Sequence, residues 1–426
     1  VGDEGGSLRV AFVTPRFGPE VMGGAEAAAR QLAMHLVGEC GWPVEVFTTC
    51  ATDHITWDDV LAPGDSTDHG VTVHRFRSAS GRRPEFYDLD ARLRPAPEQA
   101  TPEQARRWLE LNGPVTPDLV DAVAASDAEV VCFYPYLYYP TVVGMERVGA
   151  PRVLHPAAHD EPALYLPVFG PTFTGADALC YHTAAERRLL ERVHPVAQVP
   201  QIVLGLGVAD VVRGGRRGGA VTGLGDRPYV VSVGRVDDHK GSSMLAAFFR
   251  TYKERHPGPL ALVFVGPVAT TIPPHEDIVV TGVLDEADKG DVVADAVVSV
   301  SPSALESFSL VVLEAWAQSV PVVVNATCDP TREHCQRSGG GLWFGSYAEF
   351  EVVLERLLAD PDLRATLARR GHAYVERYYQ WPELIARYAA FLGAVRARAE
   401  AGTAPARQKP PMPTTGLARR SPPVEP

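Results

Sequence analysis

Six cysteines, at positions 40, 50, 132, 180, 328 and 335, are spread through 426 residues without one Cys-x-x-Cys pair. That pattern offers neither a zinc knuckle nor a dense disulfide scaffold, and it reads as reduced thiols in a cytoplasm. Positive charge is in deficit as well. Forty Lys+Arg against 52 Asp+Glu leave −12, so no broad basic face for nucleic acid is expected, and any polyanionic ligand must be met by a few placed cations. Long apolar runs are missing too. The longest uncharged stretch, Val130 to Met145, carries Pro135, Pro140 and four tyrosines and falls short of a bilayer span. Val1 to Arg9 is charged and Gly-rich rather than leader-like. The expectation is a soluble cytoplasmic protein without a transmembrane segment, touching at most the inner face of a membrane.

The common phosphate-binding fingerprints are also lacking. The first loop reads TPRFGPEVMGGAE, not G-x-G-x-x-G; GLGVAD at 205–210 lacks a third glycine; and no G-x-x-x-x-G-K-[ST] occurs. Dinucleotide-dependent dehydrogenases and P-loop NTPases are thereby disfavoured. In HPAAHDEP (155–162), His155 and His159 are four apart, but Pro156 stands where H-E-x-x-H needs its glutamate, so no metal site is expected.

What is present is an alternation of apolar strands and amphipathic helices, which predicts an α/β protein with parallel sheets. A chain of 426 residues suggests more than one domain. Strands are predicted at Leu8–Thr14, Val44–Thr49, Val71–Phe76, Glu129–Tyr134, Arg152–His155 and Ala176–Tyr181, with a helix near Ala25–Val37, giving a first Rossmann-like domain over 8–204. Within it, 79–117 is rich in Pro and Arg and reads as an insertion with one helix around Pro102–Leu111, outside the core. Eight glycines in 205–227 mark a hinge. A second strand–loop–helix series fills 228–380, beginning with Tyr229–Val233 and helix Gly241–Glu254 and including helix Phe308–Gln318. A last helix, 381–398, can pack back on the first domain. The tail 399–426, with seven prolines, is expected to be disordered. Paired domains of this kind bind ligands in the cleft between them, at the carboxyl ends of the strands.

Candidate groups cluster accordingly. Gly23-Gly24 and Gly234 with Gly241 sit before helices, where they serve either as tight turns or as points of close approach to an anion. In VSVGRVDDHKG, Arg235 and Lys240 converge on a strand-to-helix loop where a diphosphate can sit. In ESFSLVVLE, Glu306 and Glu314 are eight residues apart, about 12 Å along a continuous helix, too far for a glycosidase carboxylate pair but suited to gripping two parts of one elongated ligand. Their plainer readings are a capping carboxylate and a solvent-facing helix residue. Ser307, Phe308 and Ser309 open that helix and offer backbone N–H groups.

These residues resemble the retaining GT-B glycosyltransferases of family 4 (glycosyl transferases group 1). Glu306 and Glu314 match the E-x7-E signature, Arg235 with Lys240-Gly241 the R-x4-K-G signature, and GGAE at Gly23–Glu26 and His159-Asp160 also look like that family. The resemblance spans roughly Leu8 to Leu392. It implies two Rossmann-like domains facing each other across a cleft, with a UDP- or GDP-sugar on the C-terminal domain and an acceptor hydroxyl (sugar, lipid-linked or small molecule) on the N-terminal one. Arg235 and Lys240 would neutralise the diphosphate. Glu314 would receive the ribose hydroxyls, and Glu306 and His159 would stand at the transferred sugar. Backbone around Phe308, Ser309, Leu310 and Val311 would contact sugar and phosphate, with Gly282 and Val283 near the base and Gly23 and Gly24 closing on the diphosphate. Arg16, Asp160 and Tyr136 are weaker acceptor-side candidates. The implied same-face mechanism needs no metal and no cofactor. Two rivals remain on the same scaffold: a catalytically silent nucleotide-sugar-binding protein, and an epimerase or phosphorylase.

Overall fold

The computed structural model describes residues 7–21, 23–209 and 217–402. The part of the predicted hinge at 210–216 and the tail from 403 lie outside the described residues. The described residues form two sheets. The first runs β3-β4-β2-β1-β5-β6-β7-β8, with β1 Val10–Val13, β2 Val44–Thr49, β3 Gly64–Asp68, β4 Val71–Phe76, β5 Val130–Phe133, β6 Arg152–Leu154, β7 Ala178–Tyr181 and β8 Gln201–Val203. All its pairings are parallel except the edge hairpin β3–β4. The second runs β11-β10-β9-β12-β13-β14 and is wholly parallel. Its strands are β9 Tyr229–Val233, β10 Ala261–Val265, β11 Ile278–Val280, β12 Val298–Ser301, β13 Val322–Asn325 and β14 Gly341–Phe344.

A parallel strand covered on both faces has no polar side to show, which is why β1 reads VAFV with all four residues buried. Val10 and Phe12 face the core formed with helix Gly24–Cys40, whereas Ala11 and Val13 face the opposite core. That second core corrects the reading of 79–117 as a peripheral insertion. The segment forms two helices, Glu85–Leu93 and Pro102–Asn112. Phe86, Leu89, Leu93, Trp108 and Leu109 are buried in the same cluster as Ala11 and Val13. Its arginines are engaged: Arg94 pairs with Asp90 at 2.5 Å, Arg106 with Glu146 at 2.9 Å, and Arg82 stacks over Phe86.

The predicted hinge includes a short helix, Gly218–Thr222. The chain passes between the domains twice, and the two passages lie together: the Val208 N–H donates to the Tyr379 carbonyl at 2.9 Å. A Cβ on Gly207 would stand 2.3 Å from the Trp381 ring, so only glycine fits there. The last helix, Trp381–Glu400, lies against the first domain. Trp381 stacks on His35 at 3.9 Å, the Tyr388 hydroxyl donates to Cys132 Sγ at 3.2 Å, and Arg396 pairs with Glu129 at 3.0 Å. This helix continues through 399–400, where the sequence suggested the start of the tail.

Candidate active site

In a doubly wound sheet, the loops on either side of the point where strand order reverses splay apart and leave a crevice. In the second sheet that point lies between β9 and β12, since the chain moves from β9 out to β11 and then returns to β12. The loop after β9 carries Gly234, Arg235 and Lys240; the loop after β12 carries Ser303 to Ser309. In the first sheet the reversal lies between β1 and β5, whose following loops carry Arg16 and Tyr136. The four loops line one cleft of about 760 Å³, within the size range of small-molecule sites.

Most of the candidates from the sequence meet there. Arg235, Lys240, Glu306, Glu314 and His159 all line the cleft, as do Gly23, Gly24, Gly234, Val283 and Ser307 to Val311. Lys240 Nζ bonds Glu306 Oε1 at 2.6 Å. Arg235 pairs with Asp237, whose other carboxylate oxygen accepts the Lys240 backbone N–H at 2.7 Å. Asp237 thus holds both ends of the loop that presents the two cations. Gly241 closes the loop at φ 75°, with the Pro302 carbonyl oxygen 2.7 Å from where a Cβ would be. Asn325, at the end of β13, donates to that same carbonyl at 2.9 Å, so the β12 loop is held by β13 on one side and packs closely on Gly241 of the β9 loop on the other.

The segment between the two glutamates is not one helix. The helix spans Leu310–Ala317 and starts four residues after Glu306, so the separation expected of a continuous helix does not apply. Ser307 and Phe308 precede the helix. Ser309 is its N-cap at φ 72°, ψ 74°, a left-handed conformation that costs a non-glycine residue about 1–2 kcal/mol. The Ser309 hydroxyl is buried without a hydrogen-bond partner, and the first backbone N–H groups of the helix have no intrahelical acceptor. A strained turn and an unsatisfied buried hydroxyl at a helix N-terminus suit an anion better than they suit a closed core. Phe308 anchors the turn from behind, edge-on to His334 and Tyr379 at ring distances of 5.1 and 5.5 Å. Glu314 faces Lys289 at 3.7 Å. Burial raises its pKa, only partly offset by that ammonium.

The first-domain wall holds residues that the sequence reading used lightly or not at all. Arg16 and Glu26 form an ion pair with each side chain about 6% exposed, and Arg16 Nη1 also donates to the Thr52 carbonyl at 3.1 Å. Glu26 takes the space beside Gly23, where a Cβ would be 2.2 Å from its Oε2. Tyr136 is buried and donates to Glu161 Oε1 at 3.0 Å. His159 Nδ1 lies 3.8 Å from that same oxygen. Burial disfavours the His159 imidazolium, but the neighbouring Glu161 carboxylate outweighs it and raises the pKa. His54, absent from the sequence reading, lines the cleft and is pushed down to about 4 by burial and by Arg16, Arg235 and Arg82; it is neutral at ordinary pH.

Two candidates fall outside the cleft. Asp160 receives the Tyr165 hydroxyl at 2.7 Å and Arg192 at 3.0 Å, and it lines a neighbouring cavity of about 210 Å³, turned away by those two donors. Gly282 does not line the cleft; its carbonyl caps Gly266 N–H at 2.9 Å, and only Val283 of that pair faces inward. Sequence reasoning quoted Glu26 only as the end of the GGAE loop and gave no role to His54, His182, Glu186 or Lys289, because each of these four lies outside a spaced motif and becomes recognisable only through its partner. Among the described residues no cluster of His, Cys, Asp or Glu has the geometry of a metal site, and no helix is long and apolar enough to cross a membrane.

Residues 220–373 match the family described as glycosyl transferases group 1. No curated protein sequence matches the chain. Among solved structures, the chain is similar to sucrose-phosphate synthase from Thermosynechococcus elongatus, with a TM-score of 0.69, 18% identity, and 93% of this chain and 100% of that one covered. A trehalose-6-phosphate protein from E. coli bound with UDP-2-fluoro glucose gives a TM-score of 0.66 at 12% identity, covering 90% and 99%. The Anabaena protein HepE in complex with UDP and glucose gives 0.65 at 14% identity, covering 91% and 100%. The two sheets facing one cleft are the GT-B fold, and residues 220–373 are similar to the glycosyl transferases of group 1.

Proposed function

We propose that the chain is a retaining glycosyltransferase of family 4 that moves a sugar from a UDP- or GDP-sugar to an acceptor hydroxyl. The observation that carries this reading is the convergence of Arg235, Lys240, Glu306, Glu314 and the Ser309–Leu310 turn on one cleft facing the first domain. Cleaving the bond from sugar to diphosphate builds negative charge on the leaving group and positive charge on the sugar ring. Arg235, Lys240 and the helix N-terminus are fixed positive charges at the first of these, pre-aimed rather than recruited during the reaction. Their counter-ions in the free protein, Asp237 and Glu306, keep them in place. Arg235 and Lys240 are each 38% exposed, so both are open to a ligand, unlike the enclosed Arg16–Glu26 pair.

With the diphosphate on Lys240, Glu306 is released to accept hydroxyls of the transferred sugar, and Glu314 those of the ribose. His159 donates to a sugar hydroxyl from the opposite wall. In same-face attack the departing phosphate oxygen takes the acceptor proton, so the leaving-group charge is balanced without a protein base, cofactor or metal ion. The acceptor (a sugar, a lipid-linked or a small molecule) would lie on the first-domain wall near Arg16 and Tyr136. Six unbridged cysteines suit work in the cytoplasm or at its membrane face. The discriminating experiment is a thermal-shift panel of UDP, GDP, ADP and TDP with their sugars. A ligand at a hundred times its Kd should stabilise the protein by about 2.7 kcal/mol, and no response to any nucleotide or nucleotide sugar would refute the reading.

A further inference from the structure

Behind the sugar side of the cleft lies a buried carboxylate to which the mechanism above gives no task. Glu186, in the first turn of helix Ala184–Val193, is 1% exposed. Its Oε1 accepts the Ala158 backbone N–H at 2.9 Å, and its Oε2 accepts the His182 backbone N–H at 2.7 Å. Ala158 immediately precedes His159. The His182 side chain reaches across the domain boundary, with Nδ1 3.3 Å from the Ser307 hydroxyl, and Thr183 donates to the Ser307 carbonyl at 3.2 Å. On its far side the His182 ring is bonded to the Tyr134 hydroxyl.

We propose that Glu186 is a positioning residue for the transfer reaction: its single carboxylate fixes the His159 segment and, through His182 and Thr183, the Ser307–Ser309 turn, holding the two walls of the sugar site in one geometry. This rests on the glycosyltransferase reading. A carboxylate suits the task because it is acceptor-only when ionised and can serve two N–H groups at once; a protonated acid or an amide presents a donor to one of them. An error of about 1 Å in such a constellation is enough to cost about a hundredfold in rate.

The groups facing the carboxylate are few. His182 Nδ1 stands 3.8 Å away and is neutral, pushed down to about 3 by burial and then by His159. From β7 come Cys180 and Tyr181, both raised chiefly by burial. Glu306 and Asp329 line the adjoining small cavity with Arg188 and Arg192, whose charges are taken by Glu333 at 2.8 Å and Asp160 at 3.0 Å. Burial pushes Glu186 up to about 7, against the backbone hydrogen bonds of Ala158 and His182 and the charge of His159. The cradle is therefore complete above that pH and impaired below it, and turnover should rise as pH passes through about 7. Stability moves the other way. Between the ordinary 4.5 and about 7 the folded chain holds more protons than the unfolded one, so this group's contribution falls as pH rises.

The test is Glu186→Gln in the full chain, with nucleoside diphosphate release from the sugar nucleotide that stabilises the wild type as the readout. Turnover should drop about ten- to a hundredfold, with donor KM changed less than threefold and the acid limb near neutrality abolished. The wild-type-minus-variant stability difference should decline between pH 5 and 7. Ser307→Ala, which removes the His182 contact while keeping the Thr183 bond to the backbone carbonyl, should lower turnover severalfold and combine less than additively with Glu186→Gln, or with Glu186→Asp if the glutamine variant does not fold. Wild-type turnover with the acid limb intact in Glu186→Gln, or fully additive effects with Ser307→Ala, would overturn the positioning role while leaving donor binding untouched. Failure of the wild type to bind any sugar nucleotide would overturn both readings.

Discussion

Replacing Lys240 by Met removes one charge while keeping most of the side-chain volume, and the structure separates what this does to folding from what it does to chemistry. Lys240 is bonded to Glu306 at 2.6 Å, but its side chain is 38% exposed. Water therefore screens the pair, and its loss should cost the fold about 1 kcal/mol or less. In the proposed transfer step the same ammonium would stand where a diphosphate gains charge. Removing one preorganised donor at such a position costs about a hundred- to a thousandfold in turnover, or about 3–4 kcal/mol. Glu306 adds to the loss, because it would then face the diphosphate without its counter-ion. Nucleoside diphosphate release and a urea melt on the same preparation check both numbers. Turnover within threefold of wild type would refute the placement of Lys240 at the leaving group. A stability loss as large as the catalytic one would mean that the residue is structural.

Gly241→Ala should destabilise the second domain by about 1–2 kcal/mol from the left-handed backbone alone. It should also weaken donor binding, because the new Cβ would press on the Pro302 carbonyl 2.7 Å away; equal donor affinity by titration would contradict the dependence of the site on this close approach. Trp381→Ala removes the ring that packs against Gly207 and His35 and should cost about 3–5 kcal/mol in a denaturant melt. Asp68 bonds Arg30 at 2.5 and 2.9 Å, and that guanidinium holds its pKa below the usual 3.8. The resulting stability is fully present above 3.8 and is lost as pH falls through the lower folded value. Asp68→Asn should therefore cost about 1.5–3 kcal/mol at pH 6 and progressively less below pH 3.8, read from melts across that range.

The parts of this molecule that repeat a periodic pattern could be read directly from the chain. β1 and β5 read VAFV and VVCF, continuous apolar runs because each is covered on both faces, and β9 and β12 are apolar apart from small buried serines (YVVSV and VSVS). The edge strand β3 reads GDSTD and is mostly exposed; with one face in water and an antiparallel partner it carries no apolar period. The segment 79–117 was misjudged on composition. Its prolines and arginines suggested a loop, yet Phe86, Leu89 and Leu93 recur at three and four residues, the spacing of a buried helical stripe. At the site, motifs with fixed spacing led to Arg235, Lys240, Glu306 and Glu314. The residues that hold them were invisible to spacing: Asp237 beneath the two cations, Lys289 against Glu314 and Glu186 behind His159 are paired by folding. The turn at Ser309 was read as the opening of a helix, because nothing in ESFSLVVLE marks a serine for a left-handed backbone.

The central claim is that Arg235 and Lys240 receive the diphosphate of an activated sugar. It is tested most directly by calorimetric titration of the nucleoside diphosphate and its parent nucleoside into the wild type and into the Arg235→Met/Lys240→Met double variant. Two charge-assisted contacts should make the diphosphate worth about a hundredfold or more in affinity over the nucleoside, and that advantage should shrink below about tenfold in the double variant while nucleoside affinity holds. An undiminished advantage in the double variant would show that the diphosphate lies elsewhere.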